Sequence, residues 1–169
     1  MHVQPLRFLK PSEPVKQYRI LITGSRDWED EERLRKAIID AVVRVCEETG
    51  NHGETDWVTI VHGACPTGAD RMADELAKVC NWNVERHPAD WHRYRKAAGY
   101  RRNADMVNAG ADICLAFIRN ESAGATHCSD LAEKAGIEVE RYREPRVELS
   151  RRQTRREPVQ RTLSRHRKG

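Results

Sequence analysis

The segment VTIVHGACPTGADRMADELA, residues 58–77, joins an apolar run to a helical pattern through His62-Gly63-Ala64-Cys65-Pro66-Thr67-Gly68-Ala69-Asp70. Val58, Ile60 and Val61 read as a strand buried on both faces, and Met72, Ala73, Leu76 and Ala77 recur at the spacing of a helix face. A turn whose backbone something must approach needs more small residues than a turn that only reverses direction. The first N–H groups of the helix it opens lack intrahelical partners, so they and the helix dipole suit a phosphate or a carboxylate. Two further turns share this make-up: Gly24-Ser25-Arg26-Asp27-Trp28 after YRILITG, and Asn120-Glu121-Ser122-Ala123-Gly124-Ala125-Thr126 after DICLAFI. Glycine lets an anion reach the backbone, and Ser or Thr adds a hydroxyl donor. Taken singly these are ordinary turn and cap residues; three such turns on one sheet edge favour an anion site.

GYRRNADM (99–106) adds cations. Arg102 is the candidate phosphate clamp, because a guanidinium pairs bidentately with such oxygens; Asn103 lies beside it, and Arg26 directly follows the first strand. The ligand-binding set expected from these turns is Gly24, Ser25, Arg26, Gly63, Ala64, Thr67, Gly68, Ala69, Asp70, Arg102, Asn103, Ser122, Gly124, Ala125 and Thr126. Asp70 and Glu121 are the candidate catalytic carboxylates, although an aspartate in a first helical turn is favourable without any ligand. No G-x-G-x-x-G follows the first strand and no G-x-x-x-x-G-K-[ST] occurs, which argues against a dinucleotide fingerprint and a nucleoside triphosphatase loop. His62, His87, His92 and His127 have no zinc spacing, and neither metal nor cofactor is expected. Cys65, at a helix start, reads as a small thiol rather than a nucleophile. Trp28 and Trp91 follow the first and third strands, where each either stacks on a base or packs in the core or at the rim.

The elements that must hold these residues alternate. Apolar runs at 18–24, 57–63, 83–88, 112–118 and 137–142 read as strands, and helical patterns lie between them. In the first, Leu34, Ala37, Ile38, Ala41, Val42 and Val45 fall at i, i+3, i+4, i+7. Strand–helix alternation predicts an α/β fold with a mainly parallel sheet of about five strands and helices on both faces, whose ligands collect at the carboxyl ends of the strands.

At 169 residues the chain is long enough for one domain of ordinary size. Its charge is uneven: from Arg141 to Gly169 ten arginines and one lysine face three glutamates, an excess of eight positive charges in a chain whose net charge is +4. Residues 1–140 are therefore acidic by about four charges, and the end is basic. Residues 1–17 read as a leader, 18–143 as the folded domain, and 144–169 as a basic, disordered tail. Five scattered cysteines without a CxxC pair fit reduced thiols. No run has the length of a membrane span or the form of a signal peptide, so a cytoplasmic protein without membrane contact is expected.

In this order, RILITGSRDW, VHGACPTGADRMADELA, GYRRNADMVNAGADICLAF and SAGAT resemble the SLOG superfamily, and more narrowly its YspA/YpsA-related branch, over roughly residues 18–142. The resemblance implies a Rossmann-like three-layer fold and a site for a nucleotide or its derivative. The superfamily includes DprA, which binds single-stranded DNA, sensors of nucleotide-derived signals, and the LOG phosphoribohydrolases, which cut the N-glycosidic bond of nucleoside monophosphates. LOG enzymes carry Arg-Lys-x-x-Met followed by P-G-G-x-G-T-x-x-E. Here Arg102-Asn103-Ala104-Asp105-Met106 matches the first motif with Asn103 in place of lysine, and Ser122-Ala123-Gly124-Ala125-Thr126-His127-Cys128-Ser129 matches the second. Thr126 takes the place of the phosphate-binding threonine, and Ser129 stands where the family has its catalytic glutamate. The phosphate half of such a site is kept and the carboxylate is missing, unless Asp70 supplies it.

Three functions remain open on these residues. The first is binding of a nucleotide or nucleotide-derived ligand, as a sensor or sequestering protein. The second is nucleoside 5′-monophosphate hydrolysis, and the third a DprA-like nucleic-acid module. The basic tail is expected to bind nucleic acid weakly, and a homo-oligomer is compatible with all three.

Overall fold

Tyr18–Gly24 (β1) is a strand because Ile20, Leu21 and Ile22 are buried in succession, the pattern of a strand covered on both faces. In the computed structural model, which describes residues 16–50 and 56–144, it is the central strand of five. The others are Val58–His62 (β2), Asn83–Arg86 (β3), Ile113–Arg119 (β4) and Glu138–Glu144 (β5). All neighbours are parallel, in the order β3-β2-β1-β4-β5, with Ile22 beside His62 on one side and Leu115 on the other. The chain steps from β1 outward to β3, then returns across the sheet to β4. The switch point therefore lies between β1 and β4.

Right-handed crossovers in opposite directions put helices on opposite faces. Glu31–Thr49 (α1) and Gly68–Val79 (α2) cover one face, where Ile20, Ile22, Ile60, Leu115 and Phe117 meet Leu34, Ile38, Met72 and Leu76. Ala98–Asn108 (α4) and Ala123–Lys134 (α5) cover the other, where Leu21, Val61 and Cys114 meet Met106, Val107, Cys128 and Ala132. A short helix, Trp91–Tyr94 (α3), and a 3-10 turn at Arg95–Ala97 lead into α4. The result is the Rossmann-like three-layer arrangement.

The six apolar positions expected on the buried face of α1 are all buried. Its start is closed by Asp30, whose carboxylate accepts the Arg33 N–H at 2.9 Å, and Gly50 ends it at φ +69°. Trp28 is 1% exposed, packs at 5.3 Å on Phe117, and donates its indole N–H to the Asp30 carbonyl. It is therefore a core residue. β5 runs one residue past the expected domain edge, to Glu144. All but the last two residues of the expected leader, and the whole tail apart from Glu144, lie outside the described residues, as does the tail's expected contact with nucleic acid. Among the described residues no helix is long and apolar enough to cross a membrane, and none of the five cysteines is in a disulfide.

Candidate functional site

A cleft of about 980 Å³ opens along the carboxyl ends of the strands, where the switch point leaves a crevice. Gly24, Arg26 and Asp27 reach it from the end of β1, and Gly63, Ala64, Cys65, Pro66, Thr67 and Asp70 from the turn into α2. Pro88, Ala89 and Trp91 come from the end of β3, and Lys96, Gly99, Tyr100, Arg102, Asn103 and Met106 from the approach to α4 and from α4 itself. Arg119, Asn120, Ser122, Gly124 and Ala125 come from the turn into α5. The three turns singled out in the sequence thus meet in one concavity.

Most of the expected ligand residues line this cleft; Ser25, Gly68, Ala69 and Thr126 do not, and neither does the candidate catalytic residue Glu121. Ser25 is buried, and its hydroxyl donates to the Arg119 carbonyl at 3.1 Å and accepts the Arg119 N–H at 2.8 Å, tying β1 to β4. Gly68 and Ala69 pack against residues 24–26. Thr126 lies one turn inside α5, where its backbone N–H donates to the Ser122 carbonyl. Ser129, at the position of the LOG glutamate, is fully buried and donates its hydroxyl to the Thr126 carbonyl. Lys96, Tyr100, Arg119 and Asn120 were not singled out as ligand residues. Arg119 carries the same sign as Arg26, an arginine at the end of a strand; the others have no comparable local mark.

The helix starts differ in how they are closed. Asp30 caps α1, and Asp90 caps α3 by accepting the Arg93 N–H at 2.9 Å. Of the helix starts that line the cleft, those of α2 and α5 begin with Thr67 and Ser122, and neither side chain caps its own helix. Both residues line the cleft; of the first N–H groups of α2, that of Ala69 donates to the Ser25 carbonyl at 3.5 Å, and neither Thr67 nor Ser122 supplies a side-chain cap to the rest of its helix start. Three of the five non-glycine residues with positive φ among the described residues lie at this edge: Ala64, Asn120 and Glu121 have φ of 55°, 51° and 55°, a region that costs a side-chain-bearing residue about 1–2 kcal/mol.

Arg102 is held in advance. Its Nη1 donates to the Gly63 carbonyl and lies 3.9 Å from Asp70 Oδ2, and its Nε donates to Asn103 Oδ1 at 3.0 Å. Asn103 in turn donates to the Gly124 carbonyl at 3.0 Å, linking α4 to the start of α5. Gly63 is small for this reason, since a Cβ there would lie 1.4 Å from Arg102 Nη1. Asp70 is 5% exposed and accepts the Cys65 N–H at 3.1 Å. Burial raises its carboxyl above the usual range, against the opposing pull of the Cys65 N–H, Arg102 and His62. Beneath the turn, His62 Nδ1 accepts the Ala64 N–H at 3.1 Å, which leaves Nε2 to donate to Asp74 at 3.1 Å. Burial lowers the His62 pKa, keeping the ring in this neutral form. For Asp74 burial works in the opposite sense, but Lys78, Arg86 and His62 outweigh it and hold the carboxyl low.

Gly124 makes a separable case. A Cβ there would meet no protein atom within 4 Å, and its φ is not positive. Alanine is better than glycine in a helix by roughly 1 kcal/mol, so Gly124→Ala is expected to stabilise the fold slightly. The same methyl would project beside the uncapped N–H groups of α5 and obstruct an anion there. A raised urea midpoint together with weakened ligand binding is the expected pair of results; unchanged binding would take the anion away from α5.

An all-parallel, doubly wound sheet with helices on both faces defines an α/β protein of the Rossmann-like kind. The comparisons with known proteins narrow this. Residues 18–94 match the YspA, cpYpsA-related SLOG family. Over 126 residues the chain is 41% identical to the Gene 61 protein of Mycobacterium phage D29, covering 72% of this chain and 93% of that protein. The chain belongs to the YspA, cpYpsA-related SLOG family. Among solved structures, the C-terminal domain of a hydrogenase from Pyrococcus furiosus aligns at 16% identity and a TM-score of 0.37, over 79% of this chain and 98% of that one.

Proposed function

We propose that the cleft binds a nucleotide or nucleotide-derived molecule, and that the protein senses or sequesters it. The observation that carries this reading is that Thr67 and Ser122, which line the cleft at the starts of α2 and α5, leave their own helices without a side-chain cap. The phosphate takes the N–H groups that these side chains leave uncapped, with Arg102 as its cation. Family membership supports a nucleotide-related ligand. The test is calorimetric titration with nucleoside 5′-mono- and diphosphates and with the unphosphorylated nucleosides. Binding of the phosphorylated set alone is expected; equal binding of both sets would remove the phosphate from the reading.

Asp70 favours a second reading, hydrolysis of a nucleoside 5′-monophosphate. It is a buried carboxyl lining the cleft, with a raised pKa, and so has the character of a general acid. Glu121 is exposed and lies off the lining, and Ser129 is not a carboxylate. Incubation with nucleoside monophosphates and chromatography for free base separates the readings. Sustained release of base that is lost in Asp70→Asn would make the protein a phosphoribohydrolase; no release is expected.

A further inference from the structure

Of the four tryptophans, Trp28 and Trp57 are 1% and 2% exposed, and Trp82 is partly buried against the α1–α2 side of the core. Trp91 is different: it is 51% exposed, whereas most large apolar side chains among the described residues are enclosed, and it lines the cleft. Leaving an indole half in water forfeits part of the stabilisation its burial would give, so its position calls for a partner. The ring is not loosely placed. Its edge packs on Gly99, where a Cβ would meet the indole at 3.5 Å, and Asp90 caps the helix that carries it. Arg26 stands over the ring, its guanidinium carbon 5.7 Å from the ring centroid.

We infer that Trp91 and Arg26 form a stacking subsite for a nucleobase, the specificity-determining end of the ligand site. This rests on the phosphate reading above and extends it to the other end of the ligand. A planar ring held between two others needs about 3.5–4.0 Å to each side, so roughly 7 Å between the flanking groups. At 5.7 Å the guanidinium is within cation–π reach of the indole and about an ångström short of the separation a sandwich needs. Arg26 is exposed and makes no hydrogen bond or ion pair among the described residues, so only its contact with Trp91 opposes an outward move of that amount, and an entering base replaces that contact. A base that enters gains the indole on one face and a guanidinium on the other, each of which stacks on any base. This subsite therefore selects for the presence of a base, and only weakly for which one.

The experiment is titration of the full chain with the four common ribonucleoside 5′-monophosphates and with ribose 5-phosphate, followed by calorimetry and by tryptophan fluorescence. The wild type is expected to bind the nucleotides more tightly than the sugar phosphate and to lose fluorescence as the indole stacks. Trp91→Ala should weaken nucleotide binding about tenfold and leave ribose 5-phosphate unchanged. Trp91→Phe, which keeps a ring, should recover part of the nucleotide affinity while the fluorescence change disappears. Equal wild-type binding of ribose 5-phosphate and nucleotides would overturn the base subsite and leave the phosphate reading standing. Equal loss of both ligands in Trp91→Ala would also overturn it, as a merely structural role. If neither ligand class binds the wild type, the phosphate reading falls and this inference with it.

Discussion

Arg102→Ala is expected to weaken binding of a phosphorylated ligand at least tenfold, since a hydrogen bond to a charged group is worth roughly 1.5–3 kcal/mol. The side chain is pre-oriented: Nη1 and Nε are engaged by Gly63 and Asn103, and Nη2 donates to no protein group among the described residues. Its N–H groups are therefore held ready without the entropy cost that a free arginine would incur on binding. Arg102→Lys keeps the charge, but it presents a single ammonium where the arginine presents a planar fork. An affinity between those of wild type and Arg102→Ala is expected. Gly63→Ala supplies an independent route to the same defect, because its methyl would stand where the guanidinium now lies. Calorimetric titration of the three variants checks this. The double variant Gly63→Ala with Arg102→Ala should be no weaker than Arg102→Ala alone, since both remove one contact. Additive losses would mean that Gly63 touches the ligand by itself.

The parts of this architecture that were legible in the sequence are those written in local period. The six buried positions of α1 lie at helical spacing, and the runs that become β1, β2 and β4 are continuous and apolar because helices cover both their faces. The turns at the strand ends were legible as a set, because three of them repeat the same unusual composition. What was not legible depends on distance. Gly63 is small to admit Arg102, which is 39 residues further on. Trp28 and Trp91 both follow strands, and only the sheet order decides that one meets Phe117 and the other the cleft. Thr126 matches a motif, yet α5 starts at Ala123, so the hydroxyl at the helix mouth belongs to Ser122, one turn earlier. Helix starts are the least certain feature of a sequence pattern, and here a shift of one turn changes which hydroxyl stands at the mouth of α5. The left-handed pair Asn120 and Glu121 has no glycine to announce it; asparagine tolerates that region, and the tie of Asn120 Nδ2 to Asp27 at 2.7 Å holds the turn.

Gly68→Ala is expected to destabilise the fold by about 2–5 kcal/mol, a large share of the stability of a domain this size. Two causes add. Gly68 has φ +65°, a conformation that costs an L residue with a side chain about 1–2 kcal/mol. Its added Cβ would also lie 2.1 Å from the Ser25 carbonyl oxygen and 2.8 Å from the Arg26 backbone. Those are main-chain atoms on a turn that Ser25 fastens to Arg119, so no rotamer change relieves the contact. Forcing the turns apart should cost roughly 1–3 kcal/mol more, as overpacking does. Gly110→Ala separates the two causes. Gly110 has φ +82°, but a Cβ there would meet nothing within 4 Å, so only the conformational cost of about 1–2 kcal/mol applies. Urea unfolding followed by circular dichroism measures both variants. A Gly68→Ala protein no less stable than Gly110→Ala would mean that the β1 and β2 turns are not packed backbone to backbone. Since that packing brings the start of α2 against the end of β1, the two turns that line the cleft would then lose their fixed relation. A larger loss for Gly68→Ala ties the stability of the domain to the contact that holds the cleft's two walls in register.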